Sequence, residues 1–229
     1  MAGRIMIAID GPSGSGKSTV GRRLAERLGY RYIDTGALYR VAALKAKELC
    51  VDIDDEERLT KVCSEMRIVF VQDGSDIKTF CNGKDVSEAI RRPEISALAS
   101  EISTRKAVRV ILVEMQRMMG AGGGVVSEGR DIGTVVFSGA ELKFFLDSTP
   151  EERGKRRFKE LSEKGIRVSL EETIAEMRRR DQRDRRRKFS PLRKAKDALV
   201  IDSTDMSIEE VVERMVEEAR RRISDGEGC

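Results

Sequence analysis

Short apolar runs alternate along the chain with segments in which hydrophobic residues recur at helical spacing. The run from Ile5 to Ile9 is continuously apolar, which is typical of a parallel strand covered on both faces. After a glycine-rich loop, Leu24 and Leu28 lie on one face of a predicted helix, and Gly29 suits its end. This alternation predicts an α/β fold in which helices flank an open parallel sheet. Further strands are expected at Tyr32-Ile33, Val125 to Ser127, Leu142 to Leu146 and Ala198 to Ile201.

The predicted helices carry their own start signals. Thr35 is a plausible N-cap for a helix that carries Leu38 and Val41, and helical periodicity extends from Ile95 to Met119. In three places a serine lies three residues before a glutamate. This spacing predicts capping boxes, in which the hydroxyl accepts a backbone N–H and the carboxylate reaches back. The three pairs are Ser148/Glu151, Ser169/Glu172 and Ser207/Glu210.

Residues 66–90 differ from the rest because short strands replace the alternation of strand and helix. An antiparallel patch of this kind predicts a small subdomain inserted into the parallel core. A joint is expected after the following helix, at Gly120 to Gly124. The strand-like stretches and hairpin turns of the insert are Arg67 to Val71, Ile77 to Cys81, the surroundings of Val86, Asp73-Gly74 and Asn82-Gly83.

Composition restricts the chemistry of this chain of 229 residues. It contains no histidine, so imidazole bases, Ser-His or Cys-His pairs and histidine zinc sites are excluded. Its four cysteines lack Cys-x-x-Cys spacing, and we expect free thiols in a reducing compartment. The net charge is only +4. This weak net charge does not argue for nucleic acid as a partner. No signal peptide or membrane-length apolar stretch is evident, so we expect a cytoplasmic protein that does not bind membranes. We also expect a monomer.

The glycine-rich loop fits the phosphate-binding pattern G-x-x-x-x-G-K-[ST] completely, with a strand before it and a helix after it. Glycines let backbone N–H groups approach phosphate oxygens, and the helix N-terminus adds the positive end of its dipole. Lys17 is expected to bind the terminal phosphates and Ser18 to ligate Mg²⁺. The pattern predicts a P-loop NTPase fold but does not specify the phosphoryl acceptor. The expected ATP-binding residues are Gly11, Pro12, Ser13, Gly14, Ser15, Gly16, Lys17, Ser18 and Thr19.

Further motifs follow in order over almost the full chain, and together they resemble the bacterial cytidylate kinases. The combination of D-T-G-A-x-Y-R, G-R-D-x-G-T and a late R-D-x-R-D is specific to that family among small P-loop kinases. The resemblance implies transfer of the γ-phosphoryl group of ATP to CMP or dCMP. The matching stretches are Ile9 to Ser18, Tyr32 to Arg40, Glu128 to Phe137, Arg180 to Arg185 and Ala198 to Ser203.

The resemblance also implies a division of labour along the chain. It implies a core of residues 1–60, 91–147 and 190–229, a monophosphate-binding insert of residues 61–90 and a helical lid of residues 148–189. Catalytic roles fall to Lys17, Arg130, Arg157 and Arg180. The positions that match the acceptor site of the family are Asp34, Thr35, Arg40, Ser100, Arg109, Arg130, Asp131, Arg180, Asp184 and Arg187.

These residue types suit the implied reaction. Phosphoryl transfer needs positioning and charge stabilisation, and the planar fork of arginine binds phosphate oxygens bidentately. Cytosine offers an N4 amino donor that a carboxylate accepts. We expect Asp131 to do this, with Ser100 and Arg109 completing recognition of the base edge. Asp34 and Asp184 are expected either to hold ribose hydroxyls or to orient arginines.

Three groups of residues have a second interpretation. Arg180, Asp184 and Arg187 fall at i, i+4 and i+7 on one helical face, which favours substrate binding but is also compatible with a salt-bridged surface. The arginines from residue 153 to 157 favour a lid over the phosphates, or a solvated helix face. Asp147 ends an apolar strand as the Mg²⁺-orienting aspartate of other P-loop enzymes does, but the capping signal directly after it favours a strand-end or helix-start role.

Other functions compete with this interpretation. A kinase of another small acceptor, such as UMP, AMP or shikimate, would share the phosphate loop, and only the acceptor motifs discriminate. A nucleotide-switched regulator or an RNA-binding protein would need a guanine-reading N-K-x-D motif or a coherent basic face. The sequence contains neither.

Overall fold

The computed structural model describes residues 4–73, 76–163 and 165–226, which divide into two compact units. One unit runs from the N-terminus to Tyr32 and from Gly120 onwards, and the other is Ile33–Met119. In chain order the described elements are β1 (Met6–Asp10), α1 (Lys17–Leu28), β2 (Arg31–Asp34), α2 (Thr35–Glu48), α3 (Glu56–Ser64), β3 (Ile68–Asp73), β4 (Asp76–Cys81), β5 (Lys84–Asp85), a 3₁₀ turn (Ala89–Arg91), α4 (Pro93–Ile102), α5 (Lys106–Gly120), β6 (Val125–Gly129), a π-helical turn (Ile132–Val136), β7 (Leu142–Asp147), α6 (Pro150–Glu163), α7 (Leu170–Arg186), β8 (Leu199–Asp202) and α8 (Ile208–Gly226).

The predicted open sheet is confirmed. Within the described residues, five strands form one sheet in the order β2-β6-β1-β7-β8. The central strand β1 pairs in parallel with β6 on one side and with β7 on the other, and β8 pairs in parallel with β7. In this register Asp10 at the end of β1 lies beside Gly129 at the end of β6. The carboxyl ends of the two strands therefore meet at one edge, where ligands bind in open α/β sheets.

The core of the first unit explains why its strands are apolar throughout. Ile7 and Ile9 of β1 have no exposed surface, and they pack in one cluster with Leu24 of α1 and Met215 of α8. Burying such side chains contributes about 1.5–3 kcal/mol each. An exposed ion pair between Arg27 and Glu213 also links α1 to α8, but pairs of this kind contribute little.

The second unit contains the predicted antiparallel strands. Strands β3, β4 and β5 form an antiparallel sheet in that order. Asn82 and Gly83 both have positive φ, at 50° and 81°, so the predicted turn between β4 and β5 is confirmed. Val86 does not belong to a strand, because β5 ends at Asp85 and Val86 is buried after it. The other predicted turn includes Gly74, which lies outside the described residues.

The helical periodicity predicted from Ile95 to Met119 is confirmed, but two helices occupy that stretch. Helix α4 ends at Ile102 and α5 begins at Lys106. Between them, Ser103 Oγ donates to the Ser100 carbonyl oxygen at 2.8 Å and Thr104 Oγ1 donates to the Glu101 carbonyl oxygen at 2.7 Å. Hydroxyls that bond to nearby backbone groups compete with helical continuation, and this competition breaks the periodic segment.

Two of the predicted helix starts also shift by one residue. Asp34, not Thr35, caps α2, since its carboxylate accepts from the Ala37 N–H at 2.9 Å. Ser148 forms no capping box. Pro150 takes the first position of α6, where proline is favoured, so Thr149 Oγ1 accepts from the N–H of residue 152 at 3.4 Å instead. The capping boxes at Ser169/Glu172 and Ser207/Glu210 are confirmed.

Some features were not predicted, and others remain consistent with expectation. Helix α3 was missed, although Asp55 caps it by accepting from the Arg58 N–H at 3.0 Å.

Cys50, Cys63 and Cys81 are free thiols, and burial raises the pKa of Cys63 to about 11. Cys229 lies outside the described residues. Over the described part of the chain, no helix has the length and apolar composition needed to cross a bilayer.

Candidate active site

The phosphate loop connects β1 to α1, and close packing around it requires its glycines. A Cβ on Gly11 would lie 2.0 Å from the Leu146 carbonyl oxygen of β7. Gly14 has φ 72°, and its Cβ would lie 2.4 Å from Met177 Cε of α7. Glycine alone allows the loop backbone to approach its neighbours this closely. Gly16, at φ 91°, is the N-cap of α1, so the first N–H groups of that helix have no acceptor within it and are suited to an anion.

Lys17 is almost fully buried in the loop, with 4% of its surface exposed. Its Nζ donates to the Pro12 carbonyl oxygen at 2.5 Å and to Ser15 Oγ at 3.2 Å. Burial, followed by the charge of Arg130, lowers the pKa of Lys17 to about 7, although the nearby Glu128 opposes the shift. Lys17 is therefore only partly protonated near pH 7 before a nucleotide binds. A phosphate group favours the ammonium form, so nucleotide binding completes its charge.

Ser18 faces a carboxylate of β6, one residue before the end of that strand. Ser18 Oγ donates to Glu128 Oε1 at 2.7 Å, and the Tyr32 hydroxyl donates to the same oxygen at 3.1 Å. Glu128 lies beside Ile9 in the register of β6 and β1. Hydroxyl and carboxylate oxygens are the ligand types that Mg²⁺ accepts, together with phosphate oxygens and water. Ser18 and Glu128 therefore fit a magnesium ion that accompanies the nucleotide.

A buried ion pair fixes the outer side of the phosphate loop. Arg153 Nη1 donates to Asp181 Oδ2 at 2.5 Å and to the Ser13 carbonyl oxygen at 2.7 Å, while the Ser13 N–H donates to Asp181 Oδ1 at 2.9 Å. The side chains of Arg153 and Asp181 are only 4% and 8% exposed. Arg153 Nε also donates to the Ser148 carbonyl oxygen. Both backbone groups of Ser13 are therefore held by charged partners from α6 and α7.

Two further ion pairs hold predicted acceptor residues of the first unit. Arg130 Nε donates to Asp184 Oδ2 at 2.9 Å, and Arg187 Nη2 donates to Asp131 Oδ1 at 3.2 Å. Burial alone would raise the pKa of Asp184, but the charges of Arg130, Arg180 and Arg187 outweigh it and lower the pKa. The structure thus brings all five residues into one charged cluster, as the helical spacing of Arg180, Asp184 and Arg187 predicted.

The remaining predicted acceptor residues lie in the second unit. Asp34 accepts from Arg40 Nη2 at 2.7 Å, so this carboxylate orients an arginine. The Arg109 guanidinium lies 5.5 Å from the centre of the Tyr39 ring, a cation–π distance, and donates to the Ser103 carbonyl oxygen. Thr35 and Ser100 are buried at the starting turn of α2 and within α4.

The arginines of α6 do not act as a uniform surface. Arg156 Nη2 donates to the Ser203 carbonyl oxygen at 2.6 Å, whereas Arg157 forms a half-exposed pair with Glu160 at 2.7 Å. Asp147 ends β7, and its backbone carbonyl accepts from the Ser203 N–H. Its placement agrees with the strand-end role favoured above. The catalytic role of Arg157 stays a prediction.

Comparison with known proteins completes the description of the site. Residues 7–221 match the family model described as cytidylate kinase. The chain is 52% identical to the cytidylate kinase of Geobacter sulfurreducens, with 96% of each chain covered. It is 53% identical to that of Syntrophotalea carbinolica, covering 96% of this chain and 93% of the relative.

The chain belongs to the cytidylate kinase family.

Likeness to solved structures supports the fold of this family member. A gluconokinase from Sinorhizobium meliloti superposes with a TM-score of 0.50 at 15% identity, covering 97% of this chain and 95% of that one. An uncharacterized protein from Eubacterium ventriosum gives a TM-score of 0.51, also at 15% identity, with 94% and 98% covered. At such identities the likeness concerns the fold alone.

Three carboxylates of the site in this family member had no predicted role. Asp10 ends β1, and Glu128 is the last residue but one of β6. Asp181 lies between Arg180 and Asp184 in a motif that the resemblance already used. The available signal was positional: a carboxylate at the carboxyl end of an apolar strand next to a phosphate loop. Their partners could not be identified, because those partners are distant in sequence.

The buried pair that holds Ser13 generates a stability prediction. Asp181→Asn keeps the side-chain shape but leaves the Arg153 guanidinium without a counter-charge. Breaking a buried ion pair in this way costs about 3–5 kcal/mol, so we expect the free energy of unfolding in urea to fall by that amount.

The control is Glu160→Gln, which breaks a pair whose Arg157 and Glu160 side chains are 29% and 46% exposed. This change is expected to cost less than about 1 kcal/mol. Equal losses in the two variants would show that burial does not make the Arg153–Asp181 pair special.

Proposed function

We propose that this protein transfers the γ-phosphoryl group of ATP to CMP or dCMP, giving ADP and CDP or dCDP. The observation that carries the proposal is a complete phosphate loop with a buried lysine, in a chain whose cytidylate kinase match extends over residues 7–221. The ion pairs Arg130–Asp184 and Asp131–Arg187 support it, because all four residues are positions that match the acceptor site of the family.

The roles at the ATP side follow from the loop geometry. Backbone N–H groups of residues 14–19 bind the phosphates, since Pro12 has no N–H and that of Ser13 donates to Asp181. Lys17 leaves its Pro12 and Ser15 partners to bind the terminal phosphates. Ser18 would hold Mg²⁺ through its hydroxyl oxygen, which Glu128 orients by accepting its hydrogen. The ion supplies charge neutralisation between the phosphates. Among the described residues, no three Cys, Asp or Glu side chains cluster as a metal site of their own.

At the acceptor side, arginine forks bind the monophosphate and a carboxylate reads the base. Arg130 and Arg180 bind phosphate oxygens, with Asp184 holding Arg130 in orientation. Asp131 accepts from cytosine N4 while it stays paired with Arg187, since an ionised carboxylate has several acceptor positions. Asp34, Thr35, Arg40, Ser100, Arg109 and Arg187 complete the proposed acceptor set.

Catalysis by these residues is electrostatic. No side chain needs to act as a nucleophile, because the acceptor phosphate oxygen attacks ATP directly and charge spreads over the transferred group. Lys17, Arg130 and Arg180 stabilise that charge, and Asp184 keeps Arg130 oriented before the substrates arrive. In the proposed lid, α6 and α7 close over the phosphates, and Arg157 then also stabilises the charge of the transferred group. Lid closure, the three-part layout, cytoplasmic location and the monomeric state stay predictions.

The direct test is a coupled assay of ADP release with ATP and a panel of acceptors: CMP, dCMP, UMP, AMP and shikimate. We expect kcat/KM to be highest for CMP or dCMP. Lys17→Ala serves as the inactive control and is expected to lose at least about tenfold to hundredfold in kcat, because a charge-assisted contact contributes about 1.5–3 kcal/mol. A preference for UMP or AMP would replace the proposed acceptor while leaving the kinase chemistry intact.

The base-reading role of Asp131 gives a separate prediction. Asp131→Ala removes the acceptor for the cytosine amino group, so kcat/KM for CMP is expected to fall about tenfold to hundredfold. The value for UMP is expected to fall less, since UMP carries a carbonyl oxygen at that position and gains nothing from a carboxylate. The KM for ATP is the internal control and should not change. An unaltered ratio of CMP to UMP activity would show that cytosine is read by other residues.

A further inference from the structure

We propose that Asp10 is a positioning residue for the acceptor-binding segment 129–133, and that it determines CMP binding through the placement of Arg130 and Asp131. This inference rests on the proposed function. It is carried by a contact that none of the expected roles uses, between the end of the ATP-side strand and the backbone that follows the two acceptor residues.

The contact is a buried double hydrogen bond. Asp10 is the last residue of β1 and is 3% exposed. Its Oδ1 accepts from the Ile132 N–H and its Oδ2 accepts from the Gly133 N–H, both at 2.8 Å. These two amides begin the π-helical turn. Within the turn, the N–H of residue 136 donates to the Asp131 carbonyl oxygen, and the N–H of residue 137 donates to the Ile132 carbonyl oxygen. The first N–H groups of a helical turn lack acceptors within it, and Asp10 supplies them.

The arrangement fixes the segment at both ends. Asp10 lies beside Gly129 in the strand register, while its carboxylate holds Ile132 and Gly133. Arg130 and Asp131 lie between these two fixed points, so their side chains project from a backbone that Asp10 determines. Their ion pairs with α7 then fix the side-chain ends. The backbone and the ion pairs together define one geometry for the acceptor contacts.

The chemistry of the contact requires a carboxylate. Two backbone N–H groups need two acceptor oxygens, and aspartate is the one side chain of this length that has two acceptors and no donor. Asparagine would satisfy one N–H and direct its own NH₂ at the other. Burial makes the charge unfavourable and raises the pKa of Asp10 to about 6, although the hydrogen bonds from the Ile132 and Gly133 N–H groups oppose that shift. A buried charge held at this cost points to a role beyond packing.

The test is Asp10→Asn, studied by steady-state kinetics and by calorimetric titration of CMP alone. We expect the KM and Kd for CMP to rise about tenfold or more, because one hydrogen bond to a charged group is lost and one buried N–H is left facing a donor. The KM for ATP is expected to stay within about threefold. A purely structural role would raise both KM values alike, and that result, or no change in either, would overturn the proposal.

The matched control is Ile7→Val, in the same strand and fully buried, which lowers stability without touching the segment. It should leave the ratio of the two KM values as in the wild type. Should Asp10→Asn not fold, Gly133→Ala probes the contact from the other partner. Its Cβ would lie 3.4 Å from Asp10 Oδ2, an ordinary contact, and 3.1 Å from Lys143 Cδ, so either Lys143 or the segment must move by a few tenths of an ångström. A selective rise in the KM for CMP is again expected, and an unchanged KM would contradict the proposal.

Failure of the proposed function is distinguishable from failure of this inference. Wild-type protein that phosphorylates another monophosphate but not CMP would disprove the acceptor assignment, and the Asp10 variants would then be measured with the acceptor that works. The positioning role alone would be disproved if the wild type phosphorylates CMP and Asp10→Asn leaves the ratio of the KM for CMP to the KM for ATP unchanged.

Discussion

The compensation of buried cations by buried carboxylates at the carboxyl end of the parallel sheet is the interaction on which the site depends. Lys17 and Arg153 are buried around the phosphate loop, and the Arg130 side chain is only 17% exposed. Each has an acidic neighbour: Glu128 influences Lys17, Asp184 pairs with Arg130, and Asp181 pairs with Arg153. An uncompensated buried charge costs several kcal/mol, so the positions of these acids determine where the loop and the segment after β6 are stable.

This compensation is a poor way to obtain stability, and the fold does not rely on it. Replacing buried ion pairs by apolar residues is often neutral or stabilising in proteins. The free energy of folding comes mainly from the apolar clusters around Ile7 and Ile9 in one unit and around Leu38 and Leu112 in the other. The charges are better explained by the substrates of a kinase, since phosphate groups need preoriented cations that are not already solvated.

The sequence predicted the parts of the molecule that local patterns determine. The phosphate loop and the parallel strands follow from spacing and from apolar runs, which need no knowledge of distant residues. The break between α4 and α5 was missed because periodicity continues through it, while Ser103 and Thr104 end the helix by side-chain bonds to backbone carbonyls. Similarly, a proline at the first helical position moved the cap of α6 from Ser148 to Thr149.

The candidate site was predicted in its residue types but not in its connections. The arginines and aspartates of the motifs were identified, yet Asp10 and its partners are more than a hundred residues apart along the chain. Only the pairing of β1 with β6 brings them together. Asp181 was hidden among neighbouring charged residues of α7, and its contact with Ser13 depends on how α7 packs against the loop.

In the nucleotide-free site Lys17 is only partly protonated near pH 7, and binding of phosphate groups completes its charge. The direct measurement is an NMR titration of the Lys17 side chain, labelled with ¹³C at Cε, in the free protein and with a non-hydrolysable ATP analogue. We expect a pKa of about 7 for Lys17 in the free protein and a higher pKa in the complex, so that nucleotide binding takes up protons above pH 7. A pKa near the ordinary lysine value in the free protein, unchanged by the nucleotide, would contradict this expectation.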